Sequence, residues 1–162
     1  MKYVSRYNVD FELPNGYTEG VVDKSNFKNS IANFNSESAP NFAFLFEGTT
    51  VANTNAYFFG FIKNKYNSNQ FNLIASNEIT FKLPIGEQEV LETAIHNKEL
   101  NKNFIAYFFK YDNRYNYVGG FAFEHKNGTP TDVYRNILKD IFKTKQNELD
   151  YVEVVRDPNV RY

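Results

Sequence analysis

The stretch FIAYFFKYDNRYNYVGGFAFE, Phe104–Glu124, decides the fold. Two aromatic-rich arms flank Asp112-Asn113, a polar pair of the kind that reverses a strand. Side chains alternate along a strand, so Phe104, Ala106 and Phe108 share one face and Ile105, Tyr107, Phe109 and Tyr111 the other. The returning arm separates Tyr115, Tyr117, Gly119, Phe121 and Phe123 from Asn116, Val118, Gly120, Ala122 and Glu124. Both faces of the first arm are apolar, which places it at the centre of a sheet covered on both sides. Gly119-Gly120 interrupts the second arm, and a bulge relieving the crowding of large rings is the expected reason.

Downstream, Lys126-Asn127-Gly128 turns into a helix start, with Thr129 as N-cap, Pro130 at the first helical position and Asp132 two residues on. Val133, Ile137, Leu138, Ile141 and Phe142 form its buried stripe, and the pattern runs to Gln146. Tyr151–Val155 reads as a last short strand. Asp157-Pro158 closes the domain and leaves residues 158–162 as an exposed tail.

Upstream, Glu87–Asn97 reads as a helix with Val90, Leu91, Ala94 and Ile95 inward and Glu87 and Glu89 at its positive end. Phe71–Ala75 and Ile79–Leu83 are two strands or one bulged strand, ended by Pro84 and Gly86. Ala56–Lys63 and Asn41–Glu47 are strands, joined by the wide polar loop Gly48–Asn55. Residues 2–13 alternate as one strand, with Tyr3, Tyr7, Val9, Phe11 and Leu13 opposite Arg6, Asn8, Asp10 and Glu12. Pro14-Asn15-Gly16 turns that strand into Tyr17–Val22. Asp23 or Ser25 then caps a short helix carrying Phe27, Ile31 and Phe34. The expected architecture is a single α+β domain over residues 1–157, with a predominantly antiparallel, aromatic-rich sheet of 5–7 strands covered by two to three helices.

AYFFGFIKNKYN (Ala56–Asn67) echoes AYFFKYDNRYN (Ala106–Asn116) with one deletion. Either a strand–turn unit is duplicated or two strands answer similar demands.

Composition narrows the function classes. The 17 Phe and 12 Tyr in 162 residues supply a large core, each buried ring stabilising by roughly 1.5–3 kcal/mol. No Cys is present, which removes thiolate nucleophiles, iron–sulfur clusters and thiolate zinc sites and fits a reducing compartment. The opening MKYVSRYNVDFELP has no apolar core of signal-peptide length. A soluble, cytoplasmic protein without membrane association is therefore expected. Net charge is −1, with no large basic field of the kind that tracks a phosphate backbone.

No catalytic motif stands out. His96 and His125 lie outside any HxxxH or HExxH spacing, and Asp10 and Glu12 are explained as edge or surface charges. Gly48 with Thr49 and Thr50 lacks the phosphate-loop pattern, and Asn127-Gly128-Thr129 reads as turn and cap. Arg135, Lys139, Lys143 and Lys145 concentrate on the last helix. Tyr66, Tyr111, Tyr115 and Tyr117 lie near turns beside Lys63, Lys65 and Arg114, and these seven residues form the candidate binding surface. The expected function is a non-enzymatic protein-binding module, an inhibitor, adaptor or assembly component that needs no cofactor or metal. Single-stranded nucleic-acid binding through the same rings and cations is the alternative, and a small hydrolase or ligand-binding enzyme using His96, His125 or Asp10/Glu12 is a third. Self-association stays open.

Overall fold

A computed structural model describes residues 2–5, 9–50, 54–84, 86–112 and 115–155. In chain order the elements are β1 (Lys2–Ser5), β2 (Val9–Glu12), β3 (Thr18–Gly20), β4 (Ser30–Asn35), β5 (Phe42–Thr49), α1 (Asn55–Lys65), β6 (Phe71–Leu83), β7 (Gly86–Asn97), β8 (Lys102–Asp112), β9 (Tyr117–Glu124) and α2 (Thr131–Val155). β3 to β9 build one seven-stranded antiparallel sheet in the order β3-β4-β5-β9-β8-β7-β6, and β1 pairs with β2 in a separate two-stranded sheet. The fold is α+β, as the hairpin implied. Residues 158–162, expected as a tail, lie outside the described residues. Among those described, no helix is long and apolar enough to cross a membrane.

β8 and β9 lie side by side near the centre of the sheet, with Ala106 opposite Ala122 and Tyr107 opposite Phe121. Tyr107, Phe109, Tyr111, Phe121 and Phe123 face a core closed by α2 and the β1–β2 hairpin. Phe104, Ala106, Phe108, Val118 and Ala122 face a second core with Phe58, Phe59 and Ile62 of α1 and with Phe27. Phe27 sits on the loop before β4, stacks on Phe71 at 5.4 Å and meets Phe104 edge-on at 4.8 Å.

Gly119 and Gly120 keep their register, opposite Phe46 and Leu45 on one side and Phe109 and Phe108 on the other. Both serve close backbone approach: a Cβ on Gly119 would lie 2.2 Å from the Leu45 carbonyl oxygen, and one on Gly120 2.4 Å from that of Tyr107. The bulges fall on the neighbouring strands instead, between Phe46 and Gly48 and between Lys110 and Asp112.

Five expected elements differ. Residues 2–13 form a hairpin rather than one strand, with Tyr3 opposite Phe11 and their rings 5.2 Å apart. A reversal preserves the period of two on each arm, so alternation cannot reveal it. The helix over Phe27–Phe34 is instead a loop followed by β4. Asp23 spends its carboxylate on the Ser25 N–H (2.8 Å) and hydroxyl (2.6 Å), a local turn in place of a helix cap.

The helix over Glu87–Asn97 is instead β7. Val90 enters the α2-side core while Leu91 enters the α1-side core, so a strand buried on both faces mimics helical spacing. Glu87 and Glu89 accordingly sit on a strand and not in the first turn of a helix of their own. The strand over Tyr151–Val155 is the continuation of α2. Finally, the strand over Ala56–Lys63 is α1, whose buried Phe58, Phe59, Ile62 and Tyr66 recur at helical intervals.

Candidate functional site

At the turn of the central hairpin, Tyr115 stacks on Tyr117 with ring centroids 5.5 Å apart. Tyr117 meets Phe46 edge-on at 5.7 Å and Tyr111 at 6.2 Å, and Tyr111 meets Phe44 at 5.4 Å. The rings thus run as a ladder from the core to the surface: Tyr111 is buried, Tyr117 half-buried and Tyr115 47% exposed. Arg114, expected as part of this surface, lies outside the described residues. Buried Asp112 accepts from the Tyr115 N–H at 3.4 Å and supports the turn.

At the end of α1, Lys63 and Lys65 are exposed, but Tyr66 is only 1% exposed. The Tyr66 hydroxyl donates to one Glu47 carboxylate oxygen and the Lys65 ammonium to the other. Burial first, and then the Glu47 charge, push the Tyr66 phenol well up. Tyr66 and Tyr111 are therefore core anchors and leave the expected surface. The remaining two parts also separate. Glu47 meets the Lys65–Tyr66 end of α1 on one face of β5, while its neighbour Phe46 meets Tyr117 on the other. Phe46 and Tyr117 pack against the α2-side core and Tyr66 belongs to the α1-side core, so the sheet stands between the two clusters.

A different patch emerges on the outer face of α1. Tyr57 is 65% and Phe61 47% exposed, one helical turn apart. Gly60 beside them faces open space, where a Cβ would meet nothing within 4 Å. Lys63 flanks the patch without an ion pair among the described residues. A helix apolar on all sides is ordinarily buried all round; α1 buries one side and shows rings on the other. Reading this segment as a strand hid the patch. The spacing of Phe58, Phe59, Ile62 and Tyr66 was the signal that locates it.

The histidines are spent on structural contacts. His96 Nδ1 lies 2.7 Å from Asn103 Oδ1, directly across the β7–β8 pair, and His125 Nδ1 lies 2.8 Å from the Tyr134 hydroxyl of α2. Among the described residues, no group of three His, Asp or Glu could hold a metal ion. Asp10 and Glu12 fall on β2, and the Glu12 N–H donates to Thr144 Oγ1 of α2 at 2.9 Å.

A two-bond ion pair between α2 and β7 is not legible in the sequence. Arg135 of α2 grips Glu92 of β7 through two hydrogen bonds of 2.7 Å each. Burial would push the Glu92 carboxyl up, but Arg135, helped by Tyr107 and Asn77, outweighs it and holds the carboxyl below its ordinary value. Tyr107, opposite Glu92 in the register, is fully buried, and burial followed by the Glu92 charge raises its phenol. This contact fastens α2 to the sheet.

A cleft of about 250 Å³ lies between the loop before β4 and the sheet, lined by Asn26, Asn33, Asn35 and Asn41 with Asp23 and Glu124. Its carboxylates are engaged, Asp23 by Ser25 and Glu124 by Lys102 at 3.9 Å. Comparison of the sequence with protein-family models finds no match, and comparison with curated proteins finds none.

Proposed function

We propose that this chain is a non-enzymatic protein-binding module of a reducing, cytoplasmic setting, an inhibitor, adaptor or assembly component, and that its partner docks on the outer face of α1. One observation carries the reading. The fold buries most of an unusually large stock of rings, yet α1 holds Tyr57 and Phe61 in water on adjacent turns. Two exposed rings beside a lysine with no ion pair among the described residues are the ingredients of an interface hot spot. Tyr115 on Tyr117 forms a second, smaller contact point at the hairpin turn.

The nucleic-acid alternative needs a run of cations along the rings. Here Glu47 neutralises Lys65, and Glu89 is held against the start of α1 by Asn55. Lys63 is left as the one unpaired cation of α1 among the described residues, which supports a protein partner over a phosphate backbone.

The test is affinity purification of the tagged chain from its source cells, beside the double variant Tyr57→Ala/Phe61→Ala. A stoichiometric protein retained by the parent and lost by the variant is the expected result. Salt-sensitive binding of a labelled single-stranded oligonucleotide, lost in the same variant, would replace this reading with the nucleic-acid one.

A further inference from the structure

β6 forms one edge of the sheet, and among the described residues no strand pairs with its outer side. Long open edges are templates for further pairing, and charges placed on them decide which partner is admitted. The stretch Glu78–Lys82 carries two: Glu78, Thr80 and Lys82 are exposed, while Ile79 and Phe81 between them are half-buried against the α2-side core.

The backbone phase of this edge follows from the hairpin. Leu83 pairs with Gly86 across a two-residue connection, and the closing pair of such a hairpin exchanges its hydrogen bonds. Counting back, Phe81 and Ile79 spend their backbone groups on Gln88 and Val90 of β7. The N–H and C=O groups of Glu78, Thr80 and Lys82 then point outward, unpaired within the sheet.

We propose that this edge pairs with the same edge of a second copy of the chain, antiparallel about a twofold axis at Thr80. In that register the three outward-pointing residues meet one another: Thr80 opposes Thr80, and Glu78 of each copy opposes Lys82 of the other. Ile79 meets Phe81 across the pair on the opposite face. Two ion pairs and two apolar pairs arise from one symmetric contact, and the two seven-stranded sheets become continuous. Shifting the axis to Glu78, the next register with matched backbone groups on an axial residue, sets that carboxylate against its own copy. Towards the other end of β6 the bulge between Leu73 and Ala75 breaks the pleat and limits pairing to this segment. An open cleft of about 480 Å³ between this stretch and the start of α1 leaves the incoming side chains room. The contact uses no residue of the Tyr57–Phe61 patch.

Light scattering on the full chain over a concentration series, coupled to size exclusion, tests the pairing. The parent forms a concentration-dependent dimer. Glu78→Lys or Lys82→Glu alone turns both ion pairs into repulsions and raises the dissociation constant about tenfold or more. The double reversal Glu78→Lys/Lys82→Glu restores the dimer. Thr80→Pro removes an outward N–H that β7 does not use and abolishes it, while circular dichroism reports that each variant is folded. A parent that stays monomeric to its solubility limit overturns the proposal. So does a dimer that ignores the single reversals, a double reversal no better than the singles, or a dimer lost instead in Tyr57→Ala/Phe61→Ala.

Discussion

The tetrapeptide Ala-Tyr-Phe-Phe occurs twice, as a helical turn at Ala56–Phe59 and as a strand at Ala106–Phe109, and the two copies line the same core. In β8 all four side chains are buried, alternating between the α1-side and α2-side cores. Of the four in α1, Phe58 and Phe59 are buried, and Ala56 and Tyr57 face water. Identical residues thus build the centre of the sheet in one place and an exposed patch in the other.

Context makes the choice. The strand copy follows Phe104-Ile105 and reaches its turn at Asp112, so pairing on both sides rewards an extended chain. The helical copy runs on through Ile62 to Tyr66, whose ring packs 5.2 Å from Phe108 of the strand copy, and Lys63 and Lys65 suit the negative end of a helix.

The comparison can be broken at its buried end first. Phe108→Ala empties a position with no exposure and should cost about 3–5 kcal/mol in denaturant unfolding. A loss below about 1 kcal/mol would mean that the strand copy is not central. Next, Gly120→Ala drives a Cβ towards the Tyr107 carbonyl, and a melting experiment should show a loss of about 1–3 kcal/mol; Gly60→Ala on α1, where nothing lies within 4 Å, should be neutral or stabilising.

A third prediction concerns the clamp between α2 and β7. The folded Glu92 carboxyl lies below its ordinary value of 4.5, so its contribution is present above that pH and lost as pH falls through the depressed value. Because Arg135 is partly exposed, Glu92→Gln should cost only about 1 kcal/mol at pH 7. The gap between parent and variant should close below pH 4.5; a gap that widens in acid would reverse the assignment. The smallest effect belongs to the patch: Tyr57→Ala/Phe61→Ala should change stability by under about 0.5 kcal/mol per site while removing the partner.

How much the sequence reveals follows the same division. The central hairpin was legible down to which side chain faces which way, because a strand covered on both faces carries two apolar alternations at once. β7 carries the same double pattern without a turn inside it, and its paired apolar residues pass for a helix. α1 failed in the opposite sense, since rings on its outer side blurred the helical stripe into apparent strand composition. The candidate surface inherited that error. Tyr66 and Tyr111 lie near turns in the sequence, yet each is drawn inward, Tyr66 by Glu47 and Tyr111 by Phe44. Lys63 and Tyr115 hold the exposed positions foreseen for them, and the patch beside Lys63 needed the helix to come into view. The Glu92–Arg135 contact spans 43 residues and two elements, a distance no local pattern encodes.

The central claim is that the outer face of α1 receives a protein. A photo-crosslinking amino acid placed at position 61, and separately at position 82, measures this in the source cells. The account predicts one dominant product with a different protein from position 61, and a product of twice the chain's mass from position 82. No product at position 61, or only self-linked chain there, would contradict it.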